Sequence, residues 1–143
     1  MNSNEARNLM AGAVDAFTAG VREKMAEMTR AGPQWAMSVN GRPAGTMLCL
    51  CGRAYLTFRG KSPLAAIVRA ATGAKKLDSA SGAGWRAWSA YGGGFHISFE
   101  PNGPIEGWHG QEMDGYEAGV MKAKAYLTEH GYGEGLGVYT WVD

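Results

Sequence analysis

AYLTFRGKSPLAAIVRAATG, residues 54–73, switches its hydrophobic pattern halfway along. Ala54 to Arg59 reads as a strand. Ser62-Pro63 then announces a short helix, with serine at the cap and proline in the first turn. Leu64, Ile67, Val68 and Ala71 fall on one face of that helix, and Gly73 ends it. A strand feeding a helix, with strand patterns on both sides, predicts an α+β domain. The expectation is one antiparallel (mixed) sheet of about five to seven strands with two or three amphipathic helices packed on it.

Working outward, residues Asn4 to Arg30 read as a long helix. Met10, Val14, Phe17, Val21, Met25 and Met28 recur at three- and four-residue steps, Asn2 and Glu5 offer a cap, and Gly32-Pro33 is a stop. A helix of this length either crosses the whole sheet or pairs with a second copy. Gln34 to Asn40 alternates, with Trp35, Met37 and Val39 on one face, and Asn40-Gly41 marks a two-residue hairpin. Thr46 to Cys51 reads as the following strand, just before Ala54 to Arg59. On the other side, Lys75 to Gly84 reads as a flexible loop of small residues. Trp85 to Tyr91 and Phe95 to Phe99 make a hairpin across Gly92-Gly93-Gly94. Asp114 and Glu117 form a capping pair for a last helix carrying Tyr116, Val120, Ala123 and Leu127, and Leu136 to Val142 reads as a strand. No linker or repeat interrupts residues 1–143, which predicts a single domain.

Composition narrows the class. With 45% hydrophobic and 19% charged residues the chain is globular, and its 22 glycines follow no fixed period, which excludes collagen and points to tight turns. The two cysteines, Cys49 and Cys51, cannot build a disulfide framework. No apolar segment follows the polar start, and the apolar runs are too short to span a bilayer, so the expectation is a cytoplasmic protein with no membrane association. The net charge of +1 conceals an uneven distribution. Arg53 to Arg86 holds seven basic residues and one acid, whereas Glu100 to Asp143 holds eight acids and two lysines. Either the two segments neutralise each other, within the fold or across a homodimer, or the first forms a basic face for a phosphate or acidic partner.

Four constellations bear on chemistry. Arg59-Gly60-Lys61-Ser62 lies between a strand and a helix start, where free N–H groups and two cations, with Arg69 and Arg86 beyond, suit an anion or nucleic acid. It is no P-loop, because Tyr55 stands where that pattern needs its first glycine. Tyr55, Trp85, Trp88 and Tyr91 near Arg53, Arg59 and Arg86 make an aromatic and basic platform for single-stranded nucleic acid. Alternation puts Trp85 and Trp88 on opposite faces, so one of them belongs to the core. Glu106, His109, Glu112 and Asp114, with His96, are acid–base or metal-ligand types, but the acids are equally explained by the helix dipole, and the expectation is no metal and no cofactor. His96-Ile97-Ser98 matches half of a two-histidine phosphoesterase signature and lacks the second half. Neither a nucleophile elbow nor a dinucleotide fingerprint occurs, since Gly82-Ala83-Gly84 precedes a strand.

Tyr55-Leu56-Thr57-Phe58 followed by Gly60, Ser81-Gly82 with Trp85, Gly93-Gly94-Phe95, Gly107-Trp108 with Gly110, and Ala118-Gly119-Val120 together resemble the KlcA/ArdB antirestriction family of plasmids and other mobile elements. The chain has Gly92 where that family carries asparagine in the hairpin, and its first helix and first hairpin have no counterpart there. The resemblance implies a protein that antagonises a host restriction or other defence system by binding, without catalysis. The leading expectation is therefore a non-enzymatic inhibitor of a host nuclease or defence complex. Tyr91, Trp108 and Trp141 would be its aromatic anchors, and Glu112, Asp114 and Glu117 its acidic contacts. The alternatives are a phosphate or nucleic-acid-binding module using Arg59, Lys61, Ser62, Arg69 and Arg86, and a small enzyme using His96, His109 and nearby acids.

Overall fold

The computed structural model describes residues 1–33, 35–47 and 49–143; Gln34 and Leu48, expected in strands, lie outside the described residues. In chain order the elements are α1 (Ser3–Ala31), β1 (Trp35–Val39), β2 (Arg42–Met47), β3 (Gly52–Phe58), α2 (Pro63–Thr72), β4 (Ser81–Gly82), β5 (Trp85–Ser89), β6 (Phe95–Phe99), α3 (Met113–Glu129) and β7 (Gly137–Val142). The chain is α+β, as its patterning predicts. The strands form an antiparallel five-stranded sheet, ordered β4-β5-β6-β3-β7, and a separate β1-β2 hairpin.

That separation has a local cause. Of the strand expected over Thr46 to Cys51, Thr46 and Met47 belong to β2, Leu48 lies outside the described residues, and Cys51 makes an isolated bridge to Glu112 while the Gly52 N–H donates to the Gln111 carbonyl. The Leu50 carbonyl likewise accepts from the Met113 N–H at the start of α3, and the Cys51 carbonyl accepts from the Asp143 N–H. Asn40 and Gly41, with φ of 52° and 76°, make the expected primed turn. The β1-β2 hairpin stands exposed along most of its length.

The three helices cover one face of the five-stranded sheet. Alternation along β3 buries Gly52, Ala54, Leu56 and Phe58 and leaves Arg53, Tyr55 and Thr57 half-buried on the opposite side. Leu56, Phe58, Ile97 and Phe99 join Phe17, Val21, Leu64, Val68, Tyr116 and Leu127 in one core. All six residues of the apolar stripe on α1 are buried. The long helix therefore packs inward, on α3 and α2, with Phe17 stacked 5.3 Å from Phe99. Where α1 crosses α3, a Cβ on Gly20 would lie 2.6 Å from the Ala118 carbonyl oxygen, and one on Gly119 would lie 2.5 Å from Phe17. Two glycines thus let the helix backbones meet.

Two further expectations change. Lys75 to Gly84 is not a free loop: Leu77 and Ala80 are buried, the Ala80 carbonyl accepts from Ala87 N–H at 2.7 Å, and β4 pairs with β5. Small residues there permit close approach rather than motion. Asp114 and Glu117 do not cap α3; Glu112 occupies the cap position and its carboxylate turns back to the preceding loop.

Candidate functional site

Among the described residues, no element covers the sheet face away from the helices. Cross-strand register places Trp88 opposite His96, His96 opposite Thr57, and Tyr55 opposite Tyr139. These side chains form one aromatic group. Tyr55, His96 and Tyr139 are nearly parallel, with interplanar angles of 8°, 12° and 18° and centroids 5.3 to 6.5 Å apart. Trp88 meets Tyr55 edge-on at 5.3 Å. Trp141 follows Tyr139 two residues along β7, on the same face and opposite Arg53. Together they floor an open trough of about 1530 Å³, walled on one side by the β5–β6 turn and on the other by Gly135 to Gly137.

The trough wall follows from its glycines. Gly92, Gly93 and Gly94 all have positive φ (90°, 110° and 75°), a run that side-chain-bearing residues adopt only with strain. The turn closes with Ala90 N–H donating to the Gly94 carbonyl at 3.0 Å, and it holds Tyr91 fully in solvent beside the trough. Trp85, three residues before Trp88, is buried, so alternation divides the two tryptophans as expected.

Burial sets the protonation of the floor. Desolvation holds the His96 imidazole below its ordinary value, so the ring is neutral at neutral pH. Desolvation also raises the Tyr55 phenol, against the lowering effect of Arg53. The rings of the floor carry no charge, while Arg53 and Arg59 and the acid Asp143 also line the trough.

Arg59 borders the trough, and Arg86 projects from the same face of β5 opposite Ser98. Lys61 and Arg69 are exposed beside the β3–α2 connection. Ser62 gives its hydroxyl to the Arg59 carbonyl at 2.7 Å instead of capping α2, and Arg69 reaches the Gly60 carbonyl at 3.4 Å. Among the described residues, Arg53 and Glu100, 3.2 Å apart, form the one ion pair between the basic and acidic segments. Among the described residues, Arg59, Lys61 and Arg86 have no carboxylate within salt-bridge distance.

The other candidates scatter. Trp141 belongs to the trough, whereas Trp108 is half-buried and packs edge-on against Tyr116 at 4.8 Å. Glu112, expected to face a partner, is buried: it accepts from the backbone N–H groups of His109 and Gln111 and lies 2.9 Å from His109 Nδ1. Three donors converge on that carboxylate, which braces the loop. Asp114 is half-buried and Glu117 is exposed on α3. His96 and His109 line different cavities, the second being a small one of about 330 Å³ shared with Cys49, Cys51 and Glu112. Burial pushes the Cys49 thiol up, which opposes thiolate formation there. Among the described residues, no group of three or more His, Cys, Asp or Glu is arranged to hold a metal, and no helix is long and apolar enough to cross a membrane.

Tyr139 was not among the residues singled out from the sequence. The signal was present in the alternation of Tyr139 and Trp141, but it needs the β3–β7 register to show that these rings meet Tyr55 and His96. The architecture is thus a helix layer beneath a sheet with an open aromatic face. No protein-family model, curated protein or solved structure matches the chain.

Proposed function

We propose that this is a non-enzymatic binding module that docks single-stranded nucleic acid on the open face of its five-stranded sheet. The observation that supports this most is the uncharged ring floor of Tyr55, Trp88, His96 and Tyr139, with Arg59 and Arg86 near its margins and, among the described residues, without a carboxylate partner. Bases have π faces that stack on such rings whatever their sequence, at roughly 1–3 kcal/mol each, while guanidinium groups meet the phosphates. A duplex hides those faces, so the fit is to single strands. A reducing, cytoplasmic location belongs to the same proposal and agrees with the free thiols of Cys49 and Cys51.

The test is fluorescence anisotropy with labelled single-stranded DNA and RNA of about a dozen nucleotides, within the ~4–16 nucleotide range of comparable sheet sites. The matching duplexes serve as competitors. Saturable binding of single strands that duplexes displace poorly is the expected result. Folded protein that binds no strand at low salt would end this reading.

A second reading keeps the same face and changes the partner. Tyr91 and Trp141 are both exposed beside the trough, as aromatic anchors for a protein partner would be. In that case the module inhibits a host restriction or defence nuclease, as the antirestriction resemblance implies. A purified restriction nuclease assayed with and without the protein, and with Tyr91→Ala and Trp141→Ala, separates the two: direct inhibition lost in both variants favours the protein partner. The enzymatic alternative has less support, because His96 and His109 stand apart and cannot share one acid–base cycle.

A further inference from the structure

The two edges of the five-stranded sheet are built differently. β4 is only two residues long, which blunts that edge. β7 is six residues long, pairs with β3 in unbroken register, and among the described residues has no strand on its other side. Its sequence, GVYTWV over 137–142, contains no proline, lysine or other charge. Among the described residues, none of the usual devices against edge pairing is present on β7. Tyr139, Trp141 and Val142 are 42%, 53% and 54% exposed, so three of the eight large apolar residues left in solvent among the described residues lie on this one strand. Val142 is notable because alternation turns it towards the helix side, where it still stays half-exposed.

We propose that β7 pairs antiparallel with β7 of a second copy, centred on Thr140, to give a continuous ten-stranded sheet. The strand is complementary to itself in that register. Tyr139 falls opposite Trp141 of the second copy, and Trp141 opposite its Tyr139, giving two aromatic cross-strand pairs on the open face. Val138 falls opposite Val142 of the second copy on the helix face, which covers the exposed valine, and Thr140 meets its own equivalent. Asp143 falls opposite Gly137, so no two carboxylates face each other. A twofold axis normal to the sheet keeps both helix layers on one side and sets the two aromatic troughs side by side. This pairing does not depend on what the troughs bind.

Light scattering on the full chain during size exclusion, from micromolar to millimolar concentration, should give twice the 15.2 kDa chain mass. Thr140→Lys should return it to one chain mass with the far-UV spectrum unchanged, because two ammonium groups would then meet at the axis. A wild-type chain that remains monomeric throughout, or a T140K variant that stays dimeric, overturns the proposal. Should T140K fail to fold, Thr140→Cys decides. Directly opposite residues approach within disulfide reach, so mild oxidation should give a dimer cross-linked from 140 to 140, located by peptide mapping. Folded T140C without that link overturns the proposal equally.

Discussion

Tyr139 tests the open face by a single side chain, with chain mass followed alongside because the residue also lies on the β7 edge. It is 42% exposed and its ring lies parallel to Tyr55 and His96, so truncation removes stacking area without opening the core. Tyr139→Ala should weaken single-strand binding by roughly 1–3 kcal/mol, or about 5- to 150-fold, at a stability cost near 1 kcal/mol or less. Paired anisotropy titrations and thermal melts distinguish lost stacking from lost folding. His96 makes a different prediction. Burial lowers its pKa below the ordinary 6.5, so the unfolded chain binds more protons than the folded one between those two values. Stability therefore falls as pH drops below 6.5 into that interval, and His96→Gln should flatten this part of the profile in urea titrations between pH ~5 and ~7. At this scale the sequence was readable where alternation alone decides, as for Trp85 inside and Trp88 outside. It was not readable for Glu112, whose position just before a helix suggests a surface acid. Its real partners are N–H groups of a turn, and no spacing rule predicts that turn. Glu112→Ala should leave those donors unpaired and lower stability by about 1–3 kcal/mol in chemical denaturation.

Among the elements, the crossing of α1 and α3 is the most constrained contact. Alanine in place of a mid-helix glycine ordinarily gains about 1 kcal/mol of helix propensity. At Gly20 the new methyl would press on the Ala118 backbone, which cannot rotate away as a side chain does, so the helices must separate. Overpacking of that kind costs about 1–3 kcal/mol, and Gly20→Ala should be destabilising on balance, seen as a lower urea midpoint at unchanged slope. The elements themselves were legible because each obeys one period over several turns. The six apolar positions from Met10 to Met28 repeat without a break, and the Asn2–Glu5 capping box marks the helix start. What failed was context. Thr46 to Cys51 has strand composition, but Cys51 bridges Glu112, sixty-one positions on, and composition carries no such information. Lys75 to Gly84 looks unstructured because its residues are small, and smallness is also what lets Ala80 lie against Ala87.

Over the whole molecule, charge separates the competing partners. Among the described residues the acidic and basic segments share one ion pair, Arg53 with Glu100, so the fold keeps the asymmetry that the sequence carries. Among the described residues, Arg59, Lys61 and Arg86 have no carboxylate partner, and they lie on or near the rim of the aromatic floor. If each meets one phosphate, binding releases about three counterions' worth of charge, and log affinity should fall against log salt with a slope near −2, from ~0.7 per phosphate on a single strand. Arg59→Gln with Lys61→Gln should reduce that slope to about −0.7 while leaving base stacking in place. Affinity extrapolated to high salt, where only stacking remains, should then be nearly equal in the two proteins, whereas Tyr139→Ala should lower it at every salt concentration. A slope near zero with wild-type protein would mean that the cations do not meet phosphate at all. The aromatic face would then have to be explained by an uncharged, protein-like partner.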